Sequence, residues 1–148
     1  ENFKARNSAF SASSKTVKFS TDIADAYAAD AMVKSWIRSY TLNRGRSFVI
    51  SDKFELSGKN KSVTSSNIIT YCKVTDIKPG LLRFAGNEFT LDMKYDPKTV
   101  SPKIEFINIT DRALKEYWPD GVTRVRLEFI NPGLQGGQTV IFTPADKK

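Results

Sequence analysis

Four cations and two aromatic rings share residues 34–46: Lys34, Arg38, Arg44 and Arg46, interleaved with Trp36 and Tyr40. Guanidinium forks pair with carboxylate and sulfate groups at two points, and aromatic faces stack on sugar rings or bases. The grouping fits a surface that meets a polyanion. A solvated sheet face with Trp36 half buried fits it too. Tyr40, with Arg38 beside it, is the one place where acid–base chemistry without histidine could be sought, because tyrosine and lysine serve once their pKa values are pulled down. No second group at a specific spacing completes such a centre. Asp22, Asp25 and Asp30 lie close together, as do Asp92 and Asp96. Calcium prefers such oxygens, but the spacing and central Gly of an EF-hand are missing, and helix capping and strand edges account for these residues. Asn60-Lys61-Ser62 and Asn108-Ile109-Thr110 match the glycosylation acceptor pattern, which is common by chance.

Composition removes several function classes. The 148 residues include no histidine, so Ser-His-Asp and Cys-His nucleophile systems lack their imidazole. One cysteine, Cys72, can neither close an internal disulfide nor build a zinc site without histidine. It reads as a small buried strand residue. Lys plus Arg number 23 against 16 Asp plus Glu, a net charge of +7 scattered along the chain. That excess supports only non-specific attraction to nucleic acid, and no RNP pattern, zinc finger or helix-turn-helix accompanies it. No apolar run approaches the roughly 20 residues that span a bilayer, and no leader pattern is visible. Neither nucleic acid nor a membrane is expected as a partner, and no cofactor or metal is expected. A chain starting at Glu1 suggests a processed product or a piece of something longer.

The elements that must hold these residues are strands. Strict apolar–polar alternation runs through 88–95, where Phe89, Leu91, Met93 and Tyr95 face one way, and through 123–129, with Val125 and Leu127 opposite Arg124, Arg126 and Glu128. Residues 47–56 place Phe48, Ile50, Phe54 and Leu56 together, with Asp52 as the polar intruder. Residues 34–42 align Trp36, Arg38, Tyr40 and Leu42. Further strands are expected at 16–20, 67–74, 81–84, 104–109 and 139–143, making nine. Turns containing Gly45, Gly58, Gly80, Pro97, Gly121 and Gly133 separate most of them. Two stretches read as helical: alanine-rich 23–33 behind a cap at Asp22, and 111–118. Residues 1–14 and 144–148 read as loose, with Phe3 and Phe10 available to pack. The expected fold is all-β, a single antiparallel β-sandwich of nine or more strands with one or two short helices.

Residues 19–56 resemble the carboxy-terminal region of the heparinase II/III-like polysaccharide lyases. There an Ala-Tyr segment precedes a Trp-x-Arg strand, then a basic turn, then a strand ending in Asp-x-Phe/Tyr-x-Leu. The matching positions are Asp22, Ala26, Tyr27, Trp36, Arg38, Arg44, Gly45, Asp52, Phe54 and Leu56. Tyr117-Trp118-Pro119 and Gly121-Val122-Thr123-Arg124 resemble a late strand of the same family. The resemblance implies a C-terminal sandwich domain of a larger, periplasmic or secreted bacterial enzyme. The catalytic Tyr and His would lie largely on an amino-terminal α/α toroid and its border with the sandwich, and the substrate would be an acidic, uronate-containing polysaccharide cleaved by β-elimination. No catalytic residue is carried over, so these 148 residues alone are not expected to catalyse. Arg38, Tyr40, Arg44 and Arg46 are the residues expected to touch polymer, while Trp36 and Asp52 are assigned to packing and turn stabilisation. The alternatives are a free-standing carbohydrate-binding module and a cell-surface interaction domain.

Overall fold

A computed structural model describes residues 4–59 and 62–145. Among these, the strands are β1 (Arg6–Ala12), β2 (Thr16–Asp22), β3 (Val33–Asn43), β4 (Ser47–Leu56), β5 (Ser65–Thr70), β6 (Lys73–Lys78), β7 (Leu81–Ala85), β8 (Thr90–Lys94), β9 (Val100–Ile107), β10 (Val122–Phe129) and β11 (Gln135–Pro144). One α-helix occurs among the described residues, α1 (Arg112–Tyr117), and it joins β9 to β10. Eight strands form one sheet in the order β1-β2-β3-β4-β11-β8-β7-β6, and β5-β10-β9 form a second. Every neighbouring pair is antiparallel. The fold is the all-β sandwich that the alternation implies.

The alternating positions meet between the sheets. Trp36, Phe54, Leu82, Met93 and Val140 of the large sheet pack with Val125, Leu127 and Phe129 of the small one. Each large apolar side chain removed from water there contributes about 1.5–3 kcal/mol. Trp36, expected to pack, is buried; it stacks on Phe54 at 5.2 Å and meets the edge of Phe129 at 6.3 Å.

Three expectations are corrected. Residues 6–12 are not loose. They form β1, which pairs with β2 from Arg6↔Asp22 to Ala12↔Val17, and Phe10 stays exposed on it. Phe3 lies outside the described residues. The expected strand 67–74 is two strands, broken at Tyr71 and Cys72, so Cys72 is buried as expected but in a bend. The alanine-rich stretch 23–33 is not a helix; it forms two 3-10 turns, Ala24–Ala26 and Ala29–Ala31, separated by extended Ala28. Alanine favours helix, but tertiary contacts override that weak preference. Ile23 N donates to Trp36 O at 2.9 Å, and Tyr27 stacks on Trp36 at 5.7 Å, which draws the segment flat against β3. Asp22 accepts from Ala24 N at 3.0 Å, but the first turn begins at Ile23 and not at the expected cap. The other short helix is present as expected, with Asp111 accepting from Leu114 N at 2.9 Å.

Gly121 turns the chain from α1 into β10 at φ +83°, a left-handed backbone that side chains rarely adopt. A Cβ there would stand 2.6 Å from Ile107 O. Gly121→Ala is therefore expected to cost about 2 kcal/mol or more, read as a lowered midpoint in urea unfolding with an unchanged slope.

Candidate functional site

Two polar constellations stand out, one buried and one open. The buried one centres on Asp52, whose side chain is fully enclosed in the middle of β4. It faces the sheet interface, so the turn-stabilising role expected for it is replaced by a role inside the sandwich. Arg38 of β3 donates through Nε to Oδ1 at 2.7 Å and through Nη2 to Oδ2 at 3.0 Å. Trp36 Nε1 adds a bond at 2.8 Å, Ser66 Oγ of β5 another at 2.8 Å, and Gln138 Nε2 of β11 a third at 2.9 Å. One carboxylate thus ties three strands of the large sheet to the small one. Burial pushes the Asp52 carboxyl up, but the Arg38 hydrogen bonds and charge, helped by Trp36 and Ser66, outweigh it and hold the group below the ordinary carboxylate range.

Asp22 behaves alike: burial raises it, the backbone N–H groups of Trp36 and Ala24 and then Arg6 outweigh this, and its pKa is lowered. A carboxyl depressed by folding contributes stability that is fully present above its unfolded value of about 3.9 and lost as pH falls through the folded value. Acid titration followed by circular dichroism is therefore expected to show a flat plateau from neutral pH to about pH 5, then a cooperative loss of structure below about pH 4.

The open constellation lies at the tips of two adjacent hairpins. Between β1 and β2 the turn closes with Ser13 N donating to Thr16 O at 2.8 Å, and Ser13 Oγ accepts from Thr16 N at 3.0 Å. Between β3 and β4, Arg46 N donates to Asn43 O at 2.9 Å, and Gly45 takes φ +70°. Arg44 N donates to Lys15 O at 3.0 Å, which clasps the two turns together. The result is a cleft of about 520 Å³ lined by Lys15, Arg44 and Arg46 with Ser14, Thr16, Asn43 and Ser47. None of the three cations makes an ion pair among the described residues. No Asp or Glu occurs in 4–21 or 39–51. Free cations with hydroxyl and amide neighbours suit an oxyanion such as a carboxylate or sulfate.

The structure thus divides the expected contact residues. Arg44 and Arg46 come together, joined by Lys15, which the sequence reading missed because it lies on the other hairpin. Arg38 stands apart with its guanidinium committed to Asp52 and Ser66. Tyr40 is half-buried in an aromatic row, 6.1 Å from Phe19 and 6.0 Å from Phe48 between ring centroids. Lys34 pairs with Glu55. Asp25 pairs with Arg6, Asp92 accepts both arms of Arg83, and Asp96 holds a turn through Lys98 N and Thr99 Oγ1. No group of three or more metal-ligating side chains occurs among the described residues, and no described helix is long and apolar enough to cross a membrane. Asn108 is exposed just past β9, while Asn60 and Lys61 of the other glycosylation pattern lie outside the described residues.

No protein-family profile matches the chain, and no curated protein matches it in sequence. The fold, however, recurs in a heparan sulfate lyase. The chain is similar in structure to heparan sulfate lyase HepC from Pedobacter heparinus, with a TM-score of 0.64 and 12% identity over 97% of its length. A mutant of HepC gives 0.62 and 10% over 98%. In both comparisons the chain spans only 22% of the longer protein. The likeness in structure agrees with the resemblance carried by residues 19–56.

Proposed function

We propose that the chain is a β-sandwich module of a longer heparinase II/III-like polysaccharide lyase, in which it supports a catalytic toroid and presents one basic wall to an acidic polysaccharide. The observation that carries this reading is the cleft of Lys15, Arg44 and Arg46, three cations unpaired among the described residues, on clasped turns in stretches (4–21 and 39–51) that hold no carboxylate. Arg44 and Arg46 contact polymer directly, with Lys15 beside them, while Tyr40 lies in the aromatic row outside the cleft. Arg38 acts as a positioning residue, since its fork is held by Asp52. The reaction, β-elimination at a uronate, belongs to the rest of the enzyme, and the location is periplasmic or secreted. The resemblance in residues 19–56 and the shared fold support this assignment.

A carbohydrate-binding module able to act alone is the second reading, favoured by one observation: the bond from Arg44 N to Lys15 O holds the two turns of the cleft together. Both readings predict that the 148 residues bind a heparan sulfate oligosaccharide in isothermal titration calorimetry. Binding should weaken steeply with added salt as charges are screened, and a neutral oligosaccharide should not bind. Equal heats for charged and neutral sugars would sink both. The same chain added to a uronate polymer is expected to generate no unsaturated uronate absorbance, and a rise would overturn the assignment of chemistry to the rest of the enzyme.

A further inference from the structure

The two sheets are unequal, and the mismatch falls on one side. Of the four sheet edges, β6 carries Lys73, Asp76 and Lys78 with a register shift, and β9 carries Pro102, Lys103 and Glu105. Charges, prolines and bulges of this kind keep an edge from pairing with foreign strands. β5 has none of them: it reads Ser-Ser-Asn-Ile-Ile-Thr and pairs with β10 in unbroken register. Phe129 N donates to Thr64 O, so alternation along the ladder turns the N–H and C=O groups of Ser65, Asn67 and Ile69 away from β10, toward the free edge.

Beyond that edge, much of the large sheet is left uncovered by the described residues. Ser66 touches Arg38 and Asp52, which sets β5 over β3 and β4, and β10 lies on its far side, with Phe129 against Phe54. The free edge of β5 therefore looks out over β2 and β1. Phe10, Phe19 and Tyr40 are register partners on one face of those strands, and Leu42 shares it. Phe10 is 71% exposed, Phe19 37% and Leu42 39%. Tyr27, stacked on Trp36, closes one end of this ledge across a gap of about 300 Å³ from Ser65 and Asn67.

We propose that an extended segment adds to the small sheet at Asn67 and Ile69 and lays its apolar side chains on Phe10, Phe19 and Leu42. Strands lie about 4.8 Å apart, so one added strand covers β2 and a hairpin reaches β1. A second copy of this chain cannot fill the place: its own β3 would underlie its β5 and collide with β2. The occupant is a strand or hairpin with no sheet beneath it. Its source is the same polypeptide outside these 148 residues, which rests on the reading of the chain as a module of a longer enzyme, as the 22% span of HepC suggests.

Hydrogen exchange read by mass spectrometry, on the longer polypeptide and on the 148-residue chain, tests this. The Asn67 and Ile69 amides are expected to exchange at least about 100-fold more slowly in the longer polypeptide. A Phe10→Cys variant should react with maleimide freely in the short chain and at least about tenfold more slowly in the long one, while native Cys72 stays buried. Asn67→Pro, which removes an edge N–H that β10 does not use, should leave the short chain folded and abolish the protection of Ile69 in the long one. Equal exchange and equal labelling in the two forms overturn the proposal, as does a reading frame that adds no residues to these 148. Glycan binding is a separate readout, so failure here leaves the basic cleft standing.

Discussion

Asp52→Ala is expected to remove about 3–5 kcal/mol of folding stability, a large part of the roughly 5–15 kcal/mol that a folded domain holds. The loss is large because one substitution strands four partners. Arg38 would keep a charge in a side chain only 18% exposed, while Trp36 Nε1, Ser66 Oγ and Gln138 Nε2 would lose their acceptor. Asp52→Asn preserves shape but removes the charge and turns a donor toward donors, so it is expected to cost nearly as much. Equilibrium urea unfolding measures both. A partner test separates the network from simple packing. Arg38→Met with Asp52→Leu removes both charges together, and such a pair should be markedly more stable than the sum of the two single changes predicts. If the double variant is no better than that sum, Asp52 and Arg38 do not act as a unit.

The second large effect concerns binding. Lys15, Arg44 and Arg46 are exposed and have no carboxylate partner among the described residues, so their replacement leaves no buried charge behind and the fold should persist. Each change to Ala is expected to weaken binding of a heparan sulfate oligosaccharide about fivefold, and the three together about a hundredfold, from roughly 1 kcal/mol per solvated charge pair. The salt dependence of binding should flatten in step. Arg38→Lys is the informative control. It sits in the same stretch of sequence but serves Asp52, so it should lower the unfolding midpoint while changing the affinity little once folded. An Arg38 variant that loses affinity while keeping its stability would return that residue to the contact surface.

Much of the fold was legible because alternation is local. The run from Phe48 to Leu56 announces a strand with one face buried, and β4 is that strand. Asp52 on the apolar face was visible as an anomaly, but its meaning was not, because Ser66 and Gln138 arrive from β5 and β11. β1 was missed for a physical reason. Arg-Asn-Ser-Ala-Phe-Ser-Ala has no apolar face to bury, and the strand is held by its ladder to β2. The stretch after Asp22 shows the converse, since alanine's helix preference yields to the stacking of Tyr27 on Trp36. The basic cluster was half legible: Arg44 and Arg46 share a turn, whereas Lys15 joins them only through the β1–β2 hairpin and the bond from Arg44 N to Lys15 O.

The most direct test of the cleft as the glycan-contacting surface is a two-dimensional NMR titration of the isotopically labelled 148-residue chain with a heparan sulfate oligosaccharide. The amides of residues 13–16 and 43–47, including Lys15, Arg44 and Arg46, are expected to shift first and furthest, with Asp52 and its neighbours on β4 unmoved. Shifts centred elsewhere on the sandwich, or none at saturating oligosaccharide, would contradict the account.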